Sequence, residues 1–230
     1  MRHYLRSLFL LALTGSVLQV LESNAMAQGY YGPPPGYYRP APRYAAPSYY
    51  AGDQQHGGLF VRVNAGLGYL TASESSEGVS YTLSGFGLSM GAAIGGTIAP
   101  NLVLFGELLG TSVIQADLSQ TGYQGASGYD LTMFGFGPGI AYYVEPMNLY
   151  LSGTLAFTKI SFTDSASQYS AGDTSLGVGL SFMVGKEWWV GRDWGVGIAG
   201  QVHLASMQDP ALNTRMTAAA FSLLCSASFN

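Results

Sequence analysis

The sequence predicts an all-β protein: an eight-stranded antiparallel up-and-down transmembrane β-barrel, preceded by a signal peptide and a disordered Tyr/Pro-rich linker. Composition gives the first indication, because 48% of the 230 residues are hydrophobic and only 10% are charged. An ordinary soluble domain has about 25% charged residues. The second indication is a strict alternation of apolar residues with small or polar ones along several long runs. The third is the order of short and long connections between these runs.

The alternation begins at Leu59 and continues to Leu70, and it recurs at 175–184, 194–205 and 219–229. A period of two indicates strands with one apolar face and one small or polar face. The apolar faces of these runs carry no Asp, Glu, Lys or Arg. Lipid imposes that absence, since an Arg or Lys facing the middle of a bilayer costs about 2–4 kcal/mol. A secreted β-sandwich adhesin remains the alternative outside the membrane.

Eight strands are predicted near 58–70, 81–98, 102–116, 129–144, 149–162, 175–190, 194–206 and 215–229. Short turns are predicted at 99–101, 145–148 and 191–193, and longer polar links at 71–80, 117–128, 163–174 and 207–214. This order is typical of a barrel with short periplasmic turns, longer extracellular loops and both termini in the periplasm. The facing of the second to fifth strands is left open, because both faces of 102–116 are largely apolar.

The barrel is assigned to 58–230. The residues before it predict a signal peptide followed by a linker. Residues 1–27 combine Arg2 and Arg6, an apolar stretch and the small-x-small pattern Ala25-Met26-Ala27, which together indicate a cleaved signal peptide. Residues 28–57 are rich in Pro and Tyr and predict a periplasmic linker, since proline removes ladder donors. A sharper alternative is a docking strip that offers these tyrosines to a cell-wall or periplasmic protein partner.

Charge and cysteine content exclude several classes. The net charge of −4 and the lack of a basic block disfavour nucleic-acid binding. A single Cys excludes an intramolecular disulfide framework and a Cys-rich zinc site. Residues 195–200 match G-x-G-x-x-G, but they form a predicted strand rather than a strand-to-helix turn, so no dinucleotide cofactor is expected. No metal site and no catalytic residues are predicted.

Aromatic residues cluster beside two predicted short turns. Rings of Trp and Tyr prefer the headgroup level of a bilayer, which predicts a periplasmic aromatic girdle. Its members are Trp188, Trp189, Trp194, Tyr142, Tyr143 and Tyr150.

Two charged residues are predicted to face the barrel interior. Arg62 and Glu107 lie at similar heights on the first and third strands, so their side chains could meet across a narrow lumen. We expect an internal ion pair that plugs the barrel, because buried charges are tolerated when paired. The alternative is that lumen water solvates each charge independently.

His203 and Ser206 raise the question of a serine hydrolase. A serine hydrolase needs its nucleophile and base within hydrogen-bond reach. The two residues have opposite parity on one predicted strand, so they face opposite sides of the barrel wall. We interpret His203 as a lumen histidine.

These features together resemble the small outer-membrane β-barrel proteins of Gram-negative bacteria, and are similar to the transmembrane domain of outer membrane protein A. The stretches 98–102, 137–139 with Tyr142-Tyr143, and 185–189 look like recurring patterns of such domains. The resemblance implies a C-terminal signal for the barrel assembly machinery, carried here by Phe221, Leu223 and Phe229. Asn230 follows Phe229, whereas the family pattern ends on the aromatic residue.

The predicted function is a non-enzymatic outer-membrane protein with a structural, surface-interaction or envelope-tethering role. Outer-membrane lipid and lipopolysaccharide are its expected surroundings. Small-solute transport and an outer-membrane lipid hydrolase are the alternatives. Eight strands leave an interior just wide enough for side chains, which disfavours a general porin.

Overall fold

A computed structural model describes residues 57–76, 79–120, 123–210 and 213–229. The predicted signal peptide at 1–27 and all but the last residue of the predicted linker at 28–57 lie outside the described residues. The described residues form eleven strands: β1 (Leu59–Ser76), β2 (Val79–Ala99), β3 (Leu102–Val113), β4 (Asp117–Gln120), β5 (Tyr123–Ala126), β6 (Tyr129–Val144), β7 (Leu149–Asp164), β8 (Ser170–Asp173), β9 (Gly177–Trp189), β10 (Trp194–Asp209) and β11 (Thr214–Phe229). Within these ranges no helix has the length and hydropathy of a membrane span.

Eight long strands close into an antiparallel barrel. They follow the order β1-β2-β3-β6-β7-β9-β10-β11, and β1 pairs with β11 to complete the ring. Val61, for example, lies opposite Ile94 of β2 and opposite Phe229 of β11. Each neighbour along the chain is the neighbour in space, which confirms the predicted up-and-down topology. Closure leaves no unpaired edge around the ring.

The outer face of the wall differs from the surface of a soluble protein. Large apolar side chains point outward, with Phe86 82% exposed and Leu223 67% exposed. The interior holds buried polar residues, alanines and two clusters of larger apolar residues. The outward rows predicted for β1, β9, β10 and β11 are confirmed.

The facing of the remaining strands follows the same alternation. Even-numbered residues point outward in β3 and β6 and in the barrel part of β2, and odd-numbered residues do so in β7. Phe134, Phe136 and Phe157 therefore form one outward aromatic cluster, with neighbouring ring centroids 6.2 and 5.7 Å apart. The apolar inner row of β3 includes Val103, Phe105 and Leu109. It packs inside the barrel, which explains why both faces of this strand looked apolar.

The connections differ at the two ends of the barrel. The three predicted short turns are confirmed, and the end that carries them is called here the short-turn end. At the opposite end, the hairpin end, the predicted links at 71–80 and 207–214 are wrong in extent. β1 and β2 stay paired up to Ser76 and Val79, and β10 continues to Asp209.

Hydroxyl side chains explain this longer pairing. Ser73 hydrogen-bonds with Thr82 at 3.0 Å, and Ser75 with Ser80 at 2.9 Å, across the β1–β2 ladder. A change to polar residues marks the end of the apolar outer surface, but the backbone pairing between the two strands continues beyond it. The link at 117–128 likewise contains the β4–β5 hairpin, and 163–174 contains β8.

Candidate functional site

The barrel interior is filled by three layers of side chains. An apolar layer near the hairpin end includes Leu70, Leu131, Met133 and Ile160. A second layer near the short-turn end contains Phe60, Val103, Phe105, Tyr143, Tyr150 and Leu224. Hydroxyl and amide side chains lie between them, such as Ser89, which hydrogen-bonds with Thr111 and Ser222 at 2.8 Å each. The part of the lumen that the structure describes is therefore filled by packed side chains.

Glycines in the wall make room for these side chains. A Cβ atom at Gly185 would lie 2.4 Å from Cζ of Tyr150, and one at Gly139 would lie 2.4 Å from the Phe105 ring. A Cβ atom at Gly179 would lie 2.6 Å from Nε2 of His203. Small wall residues therefore allow large inward rings within a narrow bore.

Arg62 and Glu107 are brought together inside the barrel. Arg62 lies opposite Ala93 of β2, and Ala93 lies opposite Glu107 of β3, so the charged residues share one row of the wall. Nη2 of Arg62 is 3.9 Å from Oε1 of Glu107, and both residues are buried. The small side chain of Ala93 leaves the space between them open. Thr154 donates a hydrogen bond of 2.5 Å to the other Glu107 oxygen.

Aromatic rings surround the Arg62 guanidinium. Its carbon atom lies 4.9 Å from the ring centroid of Tyr150 and 5.5 Å from those of Phe60 and Phe105. None of its three nitrogens donates a hydrogen bond to another described residue. Cation–π contacts and the charge of Glu107 therefore stabilise this buried cation.

Glu187 is another buried carboxylate, which the sequence reasoning did not single out. It lies next to Ser226 and Ser228 above Gly195 and Gly197, where a Cβ atom at Gly197 would be 2.9 Å from Glu187 Cγ. The alternation along the strand could have identified Glu187 as a lumen residue. Val184 belongs to the predicted apolar outer face, and Glu187, three residues further on, must therefore face inward.

The placement of Tyr143 and Tyr150 in the aromatic girdle is wrong. Both side chains are fully buried and point into the lumen, with ring centroids 5.5 Å apart. The reason is parity: Tyr142 faces outward, so its neighbour Tyr143 must face inward, and Tyr150 lies opposite Tyr143 across the β6–β7 ladder.

The other predicted girdle residues are divided between the two faces. Tyr142, Trp188 and Trp194 are half-exposed on the outer wall at the short-turn end. Trp189 lies on the inward row and is partly buried. Lys186, also outward, donates a hydrogen bond to the Met147 carbonyl and lies 5.5 Å from the Trp188 ring.

The residues of the predicted assembly signal share the outer face of β11. Phe221 and Leu223 are exposed, and the Phe229 ring packs edge-on against Trp194 at 5.4 Å. Asn230 lies outside the described residues.

Comparison with known proteins supports the fold. No protein-family model matches the chain, and no curated protein matches it in sequence. Among solved structures, Neisserial surface protein A aligns over 75% of this chain and 96% of its own, with 18% identity and a TM-score of 0.50. This chain has the fold of an outer-membrane β-barrel. The likeness to outer membrane protein A in particular stays a prediction.

Two further structures align with lower scores. The outer membrane protease OmpT from Escherichia coli is 11% identical over 75% of this chain and 96% of its own, with a TM-score of 0.48. The outer membrane protein OprG from Pseudomonas aeruginosa is 14% identical over 76% and 97%, with a TM-score of 0.44. One fold hosts many activities, so the site must be judged by its own chemistry.

His203 and Ser206 do not form a hydrolase site in this barrel. His203 is buried in the lumen, where its Nε2 atom lies 3.1 Å from Oγ1 of Thr158. Ser206 lies on the outer wall. Thr158 is itself buried between wall glycines, so a substrate cannot reach this pair. Within the described ranges, no three His, Cys, Asp or Glu side chains are placed to hold a metal ion.

Proposed function

We propose that this chain is an integral outer-membrane protein with a non-enzymatic role, acting through its outer wall and its two ends rather than through its lumen. The observation that carries the proposal is the packed interior, in which Arg62 and Glu107 are buried within the layer near the short-turn end. A structural, surface-interaction or tethering role needs no solute pathway.

The outer wall supports the membrane location. Residues such as Leu67, Phe86, Ile94 and Leu223 are more than half exposed, which would be costly in water. Half-exposed Trp188 and Trp194 at the short-turn end suit a bilayer interface. Lipid and lipopolysaccharide are therefore the proposed surroundings of this wall.

The connections support an orientation. Outer-membrane barrels carry short turns on the periplasmic side and longer segments outside. We place the short-turn end in the periplasm and the extended β1–β2 hairpin, with β4, β5 and β8, outside the cell. Residues 28–57 would then reach a periplasmic or cell-wall partner, and β11 would present Phe221, Leu223 and Phe229 to the barrel assembly machinery.

Envelope fractionation combined with gel mobility tests the location and the closed barrel together. The protein should partition with outer membranes, and its unheated form should migrate differently from its boiled form. A chain recovered freely dissolved without detergent would overturn the proposal.

Two activity assays test the non-enzymatic role. In a planar bilayer the folded protein should give no steady conductance steps, and steady steps would favour small-solute transport. Lipid A incubated with the folded protein should stay intact, and loss of acyl chains would favour the hydrolase.

A further inference from the structure

The outer wall near the hairpin end carries two adjoining grooves across β9, β10, β11 and β1. The upper groove, of about 380 Å³, is lined mainly by Leu176, Ser206, Gln208, Asn213 and Arg215. The lower groove, of about 520 Å³, is lined mainly by Thr71, Val178, Leu180, Leu204, Thr217 and Ala219. Val178 and Ser206 belong to both, so the grooves are continuous. Together they form a cleft that is polar towards the hairpin end and largely apolar below.

Strand register builds this cleft. Gln208 lies opposite Arg215 across the β10–β11 ladder, and both are exposed on the outer wall. Lower down, Ala219 lies opposite Leu204 on one side and Thr71 on the other. The small side chain of Ala219 leaves a hollow in the lower groove, and the larger side chains of Leu180 and Leu204 line its side.

The charge in the cleft has one sign. Arg215 makes no ion pair with the described part of the chain, and no carboxylate lines either groove. Gln208 donates a hydrogen bond of 2.8 Å from Nε2 to Oδ1 of Asn213, which orients the Asn213 amide N–H groups away from Gln208. A guanidinium beside an amide donor matches an anionic, oxygen-rich head such as a phosphorylated sugar.

We propose that this cleft binds one phosphorylated glycolipid of the outer leaflet. Arg215 contacts the phosphate, Asn213 donates to oxygens of the head, and an acyl chain lies in the lower groove against Leu180 and Leu204. A free phosphate would use only the upper groove and leave the apolar hollow empty. The proposal rests on the proposed function, because it requires the hairpin end to lie at the outer leaflet.

The test uses the full chain folded in detergent micelles. The midpoint temperature of the heat-dependent change in gel mobility is measured while lipopolysaccharide is added. Lipopolysaccharide should raise the midpoint, because a ligand that binds only the folded state stabilises it. Arg215→Ala should require about tenfold more lipopolysaccharide for half of the effect. Arg192→Ala, which removes a cation from the short-turn end, should behave as the unmodified chain does.

A second variant tests the acyl groove. Ala219→Trp fills the hollow from the outer wall, so it should leave the barrel folded and also weaken the response to lipopolysaccharide. Dephosphorylated lipopolysaccharide and inorganic phosphate serve as the ligand controls, and both should give little or no rise in the midpoint.

The outcomes separate the site from the barrel. An Arg215→Ala response equal to that of Arg192→Ala, or an equal response to dephosphorylated lipopolysaccharide, would overturn the site while the barrel stands. An equal rise with inorganic phosphate would also overturn the lipid proposal. A chain without any heat-dependent mobility change would overturn the proposed function, and the lipid site with it.

Discussion

The Arg62 guanidinium lies 3.9 Å from the Glu107 carboxylate, although strand β2 lies between the two strands that carry them. The pair is fully enclosed by aromatic rings and hydroxyl groups. Its energetic effect should therefore differ sharply from that of an ion pair on the surface. The second described pair, Lys159 with Asp173 at 2.9 Å, is about 40% exposed and offers that comparison within one protein.

Arg62→Ala should destabilise the barrel by about 3 to 5 kcal/mol, because it leaves the Glu107 carboxylate buried without its counter-charge. Lys159→Ala should cost no more than about 1 kcal/mol, since an exposed pair is weak. Urea unfolding in lipid vesicles, followed by tryptophan fluorescence, measures both changes. Replacing both members, Arg62→Met with Glu107→Met, should recover much of the loss. Equal effects of the two single alanine variants would show that the buried pair contributes no more to stability than the exposed pair.

Gly185 and Gly200 provide a matched pair for the packing of the lumen. A Cβ atom at Gly185 would lie 2.4 Å from Cζ of Tyr150, whereas one at Gly200 would meet nothing within 4 Å. Gly185→Ala should cost about 1 to 3 kcal/mol through overpacking. Gly200→Ala should change stability by less than about 0.5 kcal/mol. Unfolding curves of the two variants, measured under the same conditions, test this difference in stability. Similar stability of the two variants would mean that the Tyr150 ring can move aside.

The sequence predicted the barrel well because its dominant signal is periodic. Leu67 and Val184 lie on rows whose parity alone assigns them to the outer wall, and the structure agrees. The neighbours Tyr142 and Tyr143 show where composition misled: the aromatic type suggested an interface for both, while alternation allowed it for only one. Applying parity before residue type would have placed only one of these two tyrosines in the girdle.

The interior was only partly predictable. Opposite charges on strands two apart suggested Arg62 and Glu107, but nothing in the sequence places Tyr150 over the guanidinium. That contact depends on strand stagger and on the missing side chain at Gly185. The extent of the β1–β2 hairpin was also missed, because the Ser and Thr residues that suggested a loop satisfy one another across the ladder.

Tryptophan fluorescence can test the outer girdle. Trp188 and Trp194 are half-exposed on the outer wall, whereas Trp189 lies on the inward row. In variants that keep a single Trp, brominated lipids should quench Trp188 and Trp194 strongly, and more so with bromine near the headgroup than near the bilayer centre. Trp189 should be quenched less. Equal quenching of all three, or stronger quenching from the bilayer centre, would contradict the girdle.

The ion pair between Lys159 of β7 and Asp173 of β8 predicts a defined pH response. Asp173 lies on the short strand β8, outside the eight strands of the barrel wall. The Lys159 ammonium donates a hydrogen bond to Asp173 and, with the Ser161 hydroxyl, holds the pKa of that carboxyl below its ordinary value of 3.8. A lowered pKa in the folded state means that the contact stabilises above pH 3.8 and is lost as pH falls through the lowered pKa. Carbon-13 NMR titration of the Asp173 carboxyl should therefore give a midpoint below 3.8. Lys159→Met should return the midpoint towards 3.8, and an unmoved midpoint would show that Lys159 does not hold the carboxylate.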